Sequence, residues 1–376
     1  MQTNRLYVII TILLMFGTCN TCLYGLEHDI TDKTNESVLV FNAFSDDAEN
    51  KKTPKLSITQ KIGKAFGTVT EFFMGCDTNY ITPQLYQITT QAELSYWHDY
   101  YHLRSSITGN SMVIESDPSL VLGGYIYWGF LGYGHSVNIQ DIGKPEGEHN
   151  GTARRNSFVF NTGRLFAEIF TFNSGKTAQI KRMTDYDFKD KERSFSGLSS
   201  KCFGLSANYI FNHRRYSWPA AFGENAVQRI SCGSWKLGFS YNHQKISFNK
   251  KELPDYLILD IDSTLLFNHV DYKDYAVSFG YGYNWVFKNN CLLAVSVLPS
   301  IGYRKSNIEE SYDEKSILKN MSTDLIFRAS VVWNNTKYFS GLELEAHTYS
   351  YRKKKFGLTN TYGTLKFTFG FNFLKK

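Results

Sequence analysis

Four short stretches of this sequence set chemistry-bearing side chains close together. In "YWHDYYH", His98, Asp99 and His102 offer two imidazoles and a carboxylate, the donor types of a metal or acid–base site. On a strand, His98 and His102 share a face but stand about 13 Å apart at roughly 3.3 Å per residue, and metal ligands must lie about 2 Å from their ion. Asp99 points the other way, so the two imidazoles are expected as isolated groups in a polar lumen. In "LILDIDST", Asp260 and Asp262 flank Ile261, which puts two carboxylates on one strand face about 7 Å apart. They would serve as a cation site or acid–base pair, or stand as solvated loop or lumen residues. In "NHRRYSW", Arg214 and Arg215 adjoin Tyr216 and Trp218. Guanidinium groups bind phosphate bidentately and stack on rings, so this stretch is a candidate for a polar or anionic ligand, against a structural pairing of the arginines with Glu224 or carbonyls. The run Arg352 to Lys355 in "RKKKFG" would touch anionic lipopolysaccharide from an outer loop, or is a solvated charge run.

Common catalytic patterns are missing. No G-x-S-x-G, H-E-x-x-H or phosphate-loop motif occurs, and Gly280-x-Gly282 lacks the third glycine of a dinucleotide loop. The sequence therefore assigns no catalytic residue, no cofactor and no metal. Net charge is +6 from 41 basic and 35 acidic residues, without the basic concentration a nucleic-acid surface needs.

The elements that must hold these residues read as strands. Of 376 residues 16% are aromatic, with 29 Phe and 25 Tyr, and the chain holds 28 Gly against 7 Pro. The start, "MQTNRLYVIITILLMFGTCNTCLYG", has Arg5, an apolar stretch from Leu6 to Phe16, then small or polar residues. It predicts a signal peptide over 1–25, the apolar run being shorter than the roughly 20 residues of a membrane-spanning helix. Residues 26–56 are polar and aperiodic, a flexible periplasmic leader. Over 57–75, Ile58, Ile62, Phe66, Val69 and Phe73 recur at helical spacing, predicting a short amphipathic helix packed on the body, lying at the membrane or plugging a barrel mouth. No later run approaches 18 apolar residues. Cys76, Cys202, Cys232 and Cys291 follow the signal region, too scattered to dictate a bridge.

From Gln84 on the period is two. In "YGTLKFTFGFNFLKK", Leu365, Phe367, Phe369, Phe371 and Phe373 share one face, with Thr364, Lys366, Thr368 and Asn372 on the other. This predicts a lipid-facing last strand of a transmembrane barrel. Its late Phe resembles the signal read by the outer-membrane insertion machinery, extended here by Leu374, Lys375 and Lys376. Strands are expected at 86–106, 111–127, 131–140, 155–173, 176–185, 200–212, 228–247, 273–287, 291–304, 321–333, 336–350 and 360–373. That all-β, antiparallel barrel of about twelve strands would fill 76–376. Short turns near 174, 289 and 334 and the "WPAAFG" corner then fall on the periplasmic side with both termini, and the long charged loops outside.

Phe211-Asn212, Tyr216-Ser217, Pro219-Ala220-Ala221-Phe222, Gln228-Arg229, Ser231 and Gly233-Ser234, with "GCDTNYITPQLY" at 75–86 and "YGYNWVFKNNCLLAVSVLP" at 281–299, resemble the uncharacterised Gram-negative family known as domain of unknown function 4421. The resemblance implies an outer-membrane barrel and brings no substrate or catalytic residue. The expected protein is a monomeric outer-membrane barrel in contact with membrane lipid, serving as a narrow channel, a structural element or a surface-interaction protein. An outer-membrane enzyme acting on lipid or peptide, and a soluble secreted β-sandwich binding protein, are the alternatives.

Overall fold

The computed structural model describes residues 71–139, 153–174, 178–184, 186–188, 194–195, 197–223, 225–253, 261–262, 265, 269–306, 321–352 and 356–375. The expected signal peptide and leader lie outside these residues, as do Asp260, Glu224 and 353–355. So does the expected amphipathic helix, except that residues 71–74 form a single helical turn.

Seventeen strands follow: β1 (Ile81–Thr82), β2 (Tyr86–Ser105), β3 (Ser111–Ser116), β4 (Ser119–Trp128), β5 (Leu131–Asn138), β6 (Arg154–Asn161), β7 (Leu165–Asn173), β8 (Ala178–Met183), β9 (Ser194–Phe195), β10 (Leu198–Ile210), β11 (Val227–Gln228), β12 (Cys232–Phe248), β13 (His269–Lys288), β14 (Cys291–Ser306), β15 (Met321–Asn334), β16 (Tyr338–Arg352) and β17 (Phe356–Lys375). One short helix, α1 (Trp218–Phe222), lies between β10 and β11. Every pairing is antiparallel, and β17 pairs back onto β2 from Phe356↔Ser105 to Lys375↔Tyr86. The order β2-β4-β5-β6-β7-β10-β12-β13-β14-β15-β16-β17 thereby closes into a twelve-stranded barrel. No described helix is long and apolar enough to cross a membrane.

The alternation of side chains decides which face is wet. On β17, Phe369 is 51% exposed and its neighbour Thr368 is 1% exposed, so the Phe stripe faces outward as expected. The same outward face carries Leu94, Ile126, Leu237, Val277, Ile301, Val331 and Leu342 around the wall. Rings bound this band: Tyr241, Tyr275 and Tyr303 are register partners near one edge, and Trp128, Trp285, Trp333 and Tyr338 stand exposed near the other. From Tyr275 to Trp285, at about 3.3 Å per residue and a tilt near 40°, the band is roughly 25 Å tall, the height of a membrane barrel's apolar belt. A soluble sandwich would have to bury this face, and the described residues leave it open.

The expected count of twelve strands is met through two compensating differences. The single strand expected over 155–173 is β6 and β7, joined by a turn at Thr162 to Arg164 in which Thr162 Oγ1 donates to the Leu165 carbonyl at 2.8 Å. The strand expected over 176–185 contains β8, which is not a barrel stave; it pairs with β3, and β3 with the Tyr100–Arg104 part of β2. The expected 111–127 strand accordingly splits, β3 joining this extension and β4 pairing with the Ile88–Trp97 part of β2. Two strands share one edge of β2 because it runs past the barrel wall. With the register fixed, the connections at 129–130, 162–164, 211–231, 289–290 and 335–337 share one end with the start of β2 and the end of β17, and the long connections share the other. Residue 174 lies at the long-loop end, not with the short turns as expected. Asn290 takes φ 65° and Gly129 φ 59° in two of the tight turns, a left-handed conformation open to Gly and Asn.

Candidate functional site

The interior of the barrel carries the polar chemistry. A ring of about twelve strands is wider than the eight-stranded type that side chains alone fill, and here backbone fills the difference. The 211–231 connection turns into the lumen at the short-turn end. Tyr216, Trp218, Pro219, Ala220, Ala221 and Phe222 are all buried there, packed in one cluster with Tyr127, Val159 and Phe166 on one side of the barrel and Leu292, Ala294 and Val332 on the other. Ser217 caps α1, its Oγ accepting from Ala220 N at 3.1 Å, and Pro219 sits in the first turn, the position proline tolerates best.

Polar bonds fasten this plug to the wall. Gln228 Oε1 accepts from Ser217 N at 2.9 Å and from Asn284 Nδ2 at 3.1 Å, and its Nε2 donates to the Arg215 and Ile230 carbonyls at 2.6 and 2.9 Å. Ser330 donates to the Ala221 carbonyl at 2.6 Å and Asn334 to the Ala226 carbonyl at 3.2 Å. Gly282 makes the room: a Cβ there would sit 2.6 Å from the Tyr216 hydroxyl and 3.1 Å from Lys236 Nζ. At the entry of the segment, Arg164 Nε donates to His213 Nε2 at 3.3 Å. Burial, together with the Arg164 charge, holds this imidazole below its ordinary range. Burial pushes the Tyr216 phenol up.

Above the plug lies a belt of ion pairs. Lys366 bridges Glu343 at 2.8 Å and Glu93 at 3.4 Å; Arg328 reaches Glu345 at 3.0 Å and Glu343 at 3.9 Å; Arg155 holds Glu168 at 2.8 Å. Arg328 also lies 5.6 Å from the Trp218 ring, which Lys236 approaches at 4.3 Å. The paired Glu93, Arg155, Glu168, Arg328, Glu343, Glu345 and Lys366 line a cavity of about 80 Å³ that also touches Phe222 of the plug. A second cavity, of about 50 Å³, borders on Arg155, Trp97 and Thr364 as well. Higher still, Arg304 pairs with Asp274 at 3.0 Å and Asp324 at 3.8 Å. Towards the long-loop end Tyr101, Leu103, Met112, Ile114, Ile180, Leu198, Ile246, Phe248, Tyr272 and Leu358 form an apolar core with Leu253, Ile261 and Leu265. Its members come from β2 and β17 and from β10, β12 and β13, so it spans the lumen. The described residues thus enclose a charged chamber between an apolar lid and a plug.

The structure separates the residues that the sequence grouped. Arg214 and Arg215 are exposed at the short-turn end, Arg215 lying 3.8 Å from Asp77 and over the Tyr80 ring at 5.0 Å, whereas Tyr216 and Trp218 point into the lumen. They form no common anionic pocket. Asp262 is at the long-loop end, accepting from Asn110 Nδ2 at 3.1 Å and from Thr108 Oγ1; its partner Asp260 lies outside the described residues. His98 and His102 are on the outer face of β2, His98 facing Glu115 at 3.6 Å, and it is Asp99 that faces the lumen. The expected lumen role of the two imidazoles fails because β2 takes the opposite alternation. Sequence reasoning missed the chamber charges, since Glu93, Arg155, Glu168, Arg328, Glu343, Glu345 and Lys366 come from six strands and meet only through register. The alternation that marks each strand contained them, each on the face opposite the apolar one.

At the long-loop end Ser247 Oγ lies 3.2 Å from His269 Nδ1. The nearby Asp271 is taken by His243 at 2.8 Å and Lys245 at 3.4 Å, so no carboxylate among the described residues orients His269, and the contact is a cross-strand pair. Cys76, Cys202, Cys232 and Cys291 are free thiols. No cluster of described His, Cys, Asp or Glu residues has metal-binding geometry.

A family model described as "Domain of unknown function (DUF4421)" matches residues 76–373. No curated protein matches. Among solved structures, the outer membrane protease OmpT from Escherichia coli is 12% identical, with 76% of this chain and 96% of that one covered at a TM-score of 0.32. The translocator domain of autotransporter NalP from Neisseria meningitidis is 11% identical, covering 84% and 96% at 0.36. The toluene transporter TodX of P. putida is 6% identical, covering 77% and 91% at 0.27. Scores this low lend no weight to the activities those names describe.

Proposed function

The chain belongs to the family of domain of unknown function 4421, and we propose that it is an outer-membrane barrel with a closed lumen, acting as a structural and surface-interaction protein and not as an open pore. The observation that carries this is the in-folded segment, residues 216–223 and 225–228, which packs across the lumen and bonds to the wall through Gln228, Asn284, Ser330 and Asn334. Two further features support it. The apolar core spans the barrel towards the other end. There β3 and β8 extend the sheet past the wall, a rigid platform for contacts outside the membrane. In this reading both termini lie in the periplasm and the long loops face outward, the usual arrangement for single-chain barrels with an even strand number. An enzyme acting at the outer rim has less support, because Ser247 and His269 lack an orienting acid. Planar-bilayer recordings test the proposal: the intact protein is expected to show no steady current, and a large, stable, porin-like conductance overturns it.

A further inference from the structure

The smaller cavity is built unlike the ion-pair belt beneath it. Asp99, 9% exposed, borders it from β2. No Lys, Arg or His among the described residues makes an ion pair with this carboxylate, in contrast with every belt glutamate. Asn360 of β17, 4% exposed, borders the same space, and its Oδ1 has no hydrogen-bond partner. Two acceptors therefore face one cavity without a donor, and a buried acceptor left unpaired is costly. Gln244, also at the wall, is already used, donating to Ser200 Oγ at 3.1 Å and accepting from the Tyr272 hydroxyl. Arg155 reaches this cavity too, but its guanidinium is held by Glu168 at 2.8 Å and by the Phe170 ring at 4.5 Å.

Most of the remaining wall is aromatic, with Ser200, Cys202, Gly363 and Thr364 between the rings. Trp97 and Phe172 stand with ring centroids 5.4 Å apart on one side, and Tyr349 and Tyr362 are stacked at 6.1 Å on the other. Ring faces attract cations, most strongly where water is excluded. A volume of about 50 Å³ is several times what one water needs, room for about three or four heavy atoms. The missing complement is positively charged, donates hydrogen bonds and is small.

We propose that this cavity is a binding site for a small primary ammonium group, with Asp99 as its counter-ion, Asn360 Oδ1 as a second acceptor and the two aromatic pairs as its cage. Neither a free carboxylate nor a phosphate fits, since both would meet Asp99. The ligand class is a short primary alkylamine of about four heavy atoms.

Calorimetric titration of the full-length protein, folded in detergent, tests this with propylammonium chloride as probe and propanol and sodium chloride as controls. The expected result is saturable binding of propylammonium with a Kd on the order of 1 mM and none of propanol. Asp99→Asn, isosteric but uncharged, is expected to weaken it by roughly 30-fold, and Trp97→Leu by about fivefold. Heat-modifiable mobility on cold gels reports whether each variant has folded, and Trp97→Leu against wild type decides the matter if Asp99→Asn does not fold. Equal heats for propylammonium and propanol, or unchanged affinity in a folded variant, overturn the proposal and leave a cavity that holds water only.

Discussion

Replacing Gln228 by Leu tests whether the plug is held by polar bonds or only by its apolar packing. The side chain is buried and serves five backbone or side-chain groups at once: Ser217 N, the Arg215, Ile230 and Tyr80 carbonyls and Asn284 Nδ2. Leucine keeps the volume and removes every one of these partners. An orphaned buried polar group costs about 1–3 kcal/mol. Asn284 keeps a bond to the Ser217 carbonyl at 2.8 Å and the Tyr80 carbonyl keeps one from Arg229 N at 2.6 Å, so three backbone groups are stranded. At the low end of that range, because the segment lies near the mouth of the barrel, the sum is about 3 kcal/mol. That raises the population of the displaced plug about a hundredfold. Chymotrypsin reads this directly: the Phe222–Gly223 bond is enclosed in the native plug, and the bond after Trp218 is shielded by Pro219. Cleavage after Phe222 should speed up by roughly that factor while the barrel keeps its heat-modifiable gel mobility, and brief current steps should appear in bilayers. A cleavage rate like wild type in a correctly folded variant would refute polar fastening and leave the Trp218–Phe222 packing as the anchor.

Other substitutions probe the wall and the chamber. Phe369→Arg, in the middle of the lipid-facing band, should cost about 2–4 kcal/mol and impair insertion, while Phe369→Leu should be near neutral, both read as folded fraction on cold gels. Thr368 faces the lumen but is packed, so Thr368→Arg is also expected to be damaging; free tolerance there would contradict the closed interior. Arg304→Leu strands two buried carboxylates, Asp274 and Asp324, and should cost about 3–5 kcal/mol in urea unfolding, more than Asp324→Asn. Lys236→Met is expected to stabilise the barrel. This ammonium is 0% exposed, makes no ion pair among the described residues and has only Ser296 and the Trp218 ring to meet it, so desolvation outweighs its contacts. A lower unfolding midpoint in that variant would show the cation–π contact to be the larger effect.

What the sequence made legible was whatever a period of two encodes locally. The Phe stripe of β17 announces its own facing, and Asn289-Asn290 and Asn334-Asn335 announce their turns. The β6–β7 turn was not seen because Phe158, Phe160, Phe166 and Phe170 keep a ring at even positions through Thr162-Gly163-Arg164, so the alternation runs on across the corner. β8 was placed in the barrel because alternation alone cannot tell a stave from a strand that pairs beyond the wall. Phase failed at "YWHDYYH", where both faces carry rings and polar groups, and only pairing with β17 puts Asp99 and not the histidines inside. The in-folded plug did leave a signal: "WPAAF" is apolar without a break, an improbable composition for a solvated rim turn.

That apolar pentapeptide also explains why the facing walls look as they do. Where α1 enters, β13 turns Ser278, Gly280, Gly282 and Asn284 inward, and β14 turns Ala294 and Ser296 inward between Leu292 and Leu298, a wall low enough to leave room for the insert. In the belt above, where no described backbone intrudes, the inward positions hold Arg155, Glu168, Arg328, Glu343, Glu345 and Lys366, long enough to span much of the space themselves. Small inward residues thus sit on β13 and β14 beside the insert, while the long charged ones project from β2, β6, β7, β15, β16 and β17. The match between this wall and the apolar insert supports the proposed closed lumen, in which any movement of solute would first have to take apart the bonds that centre on Gln228.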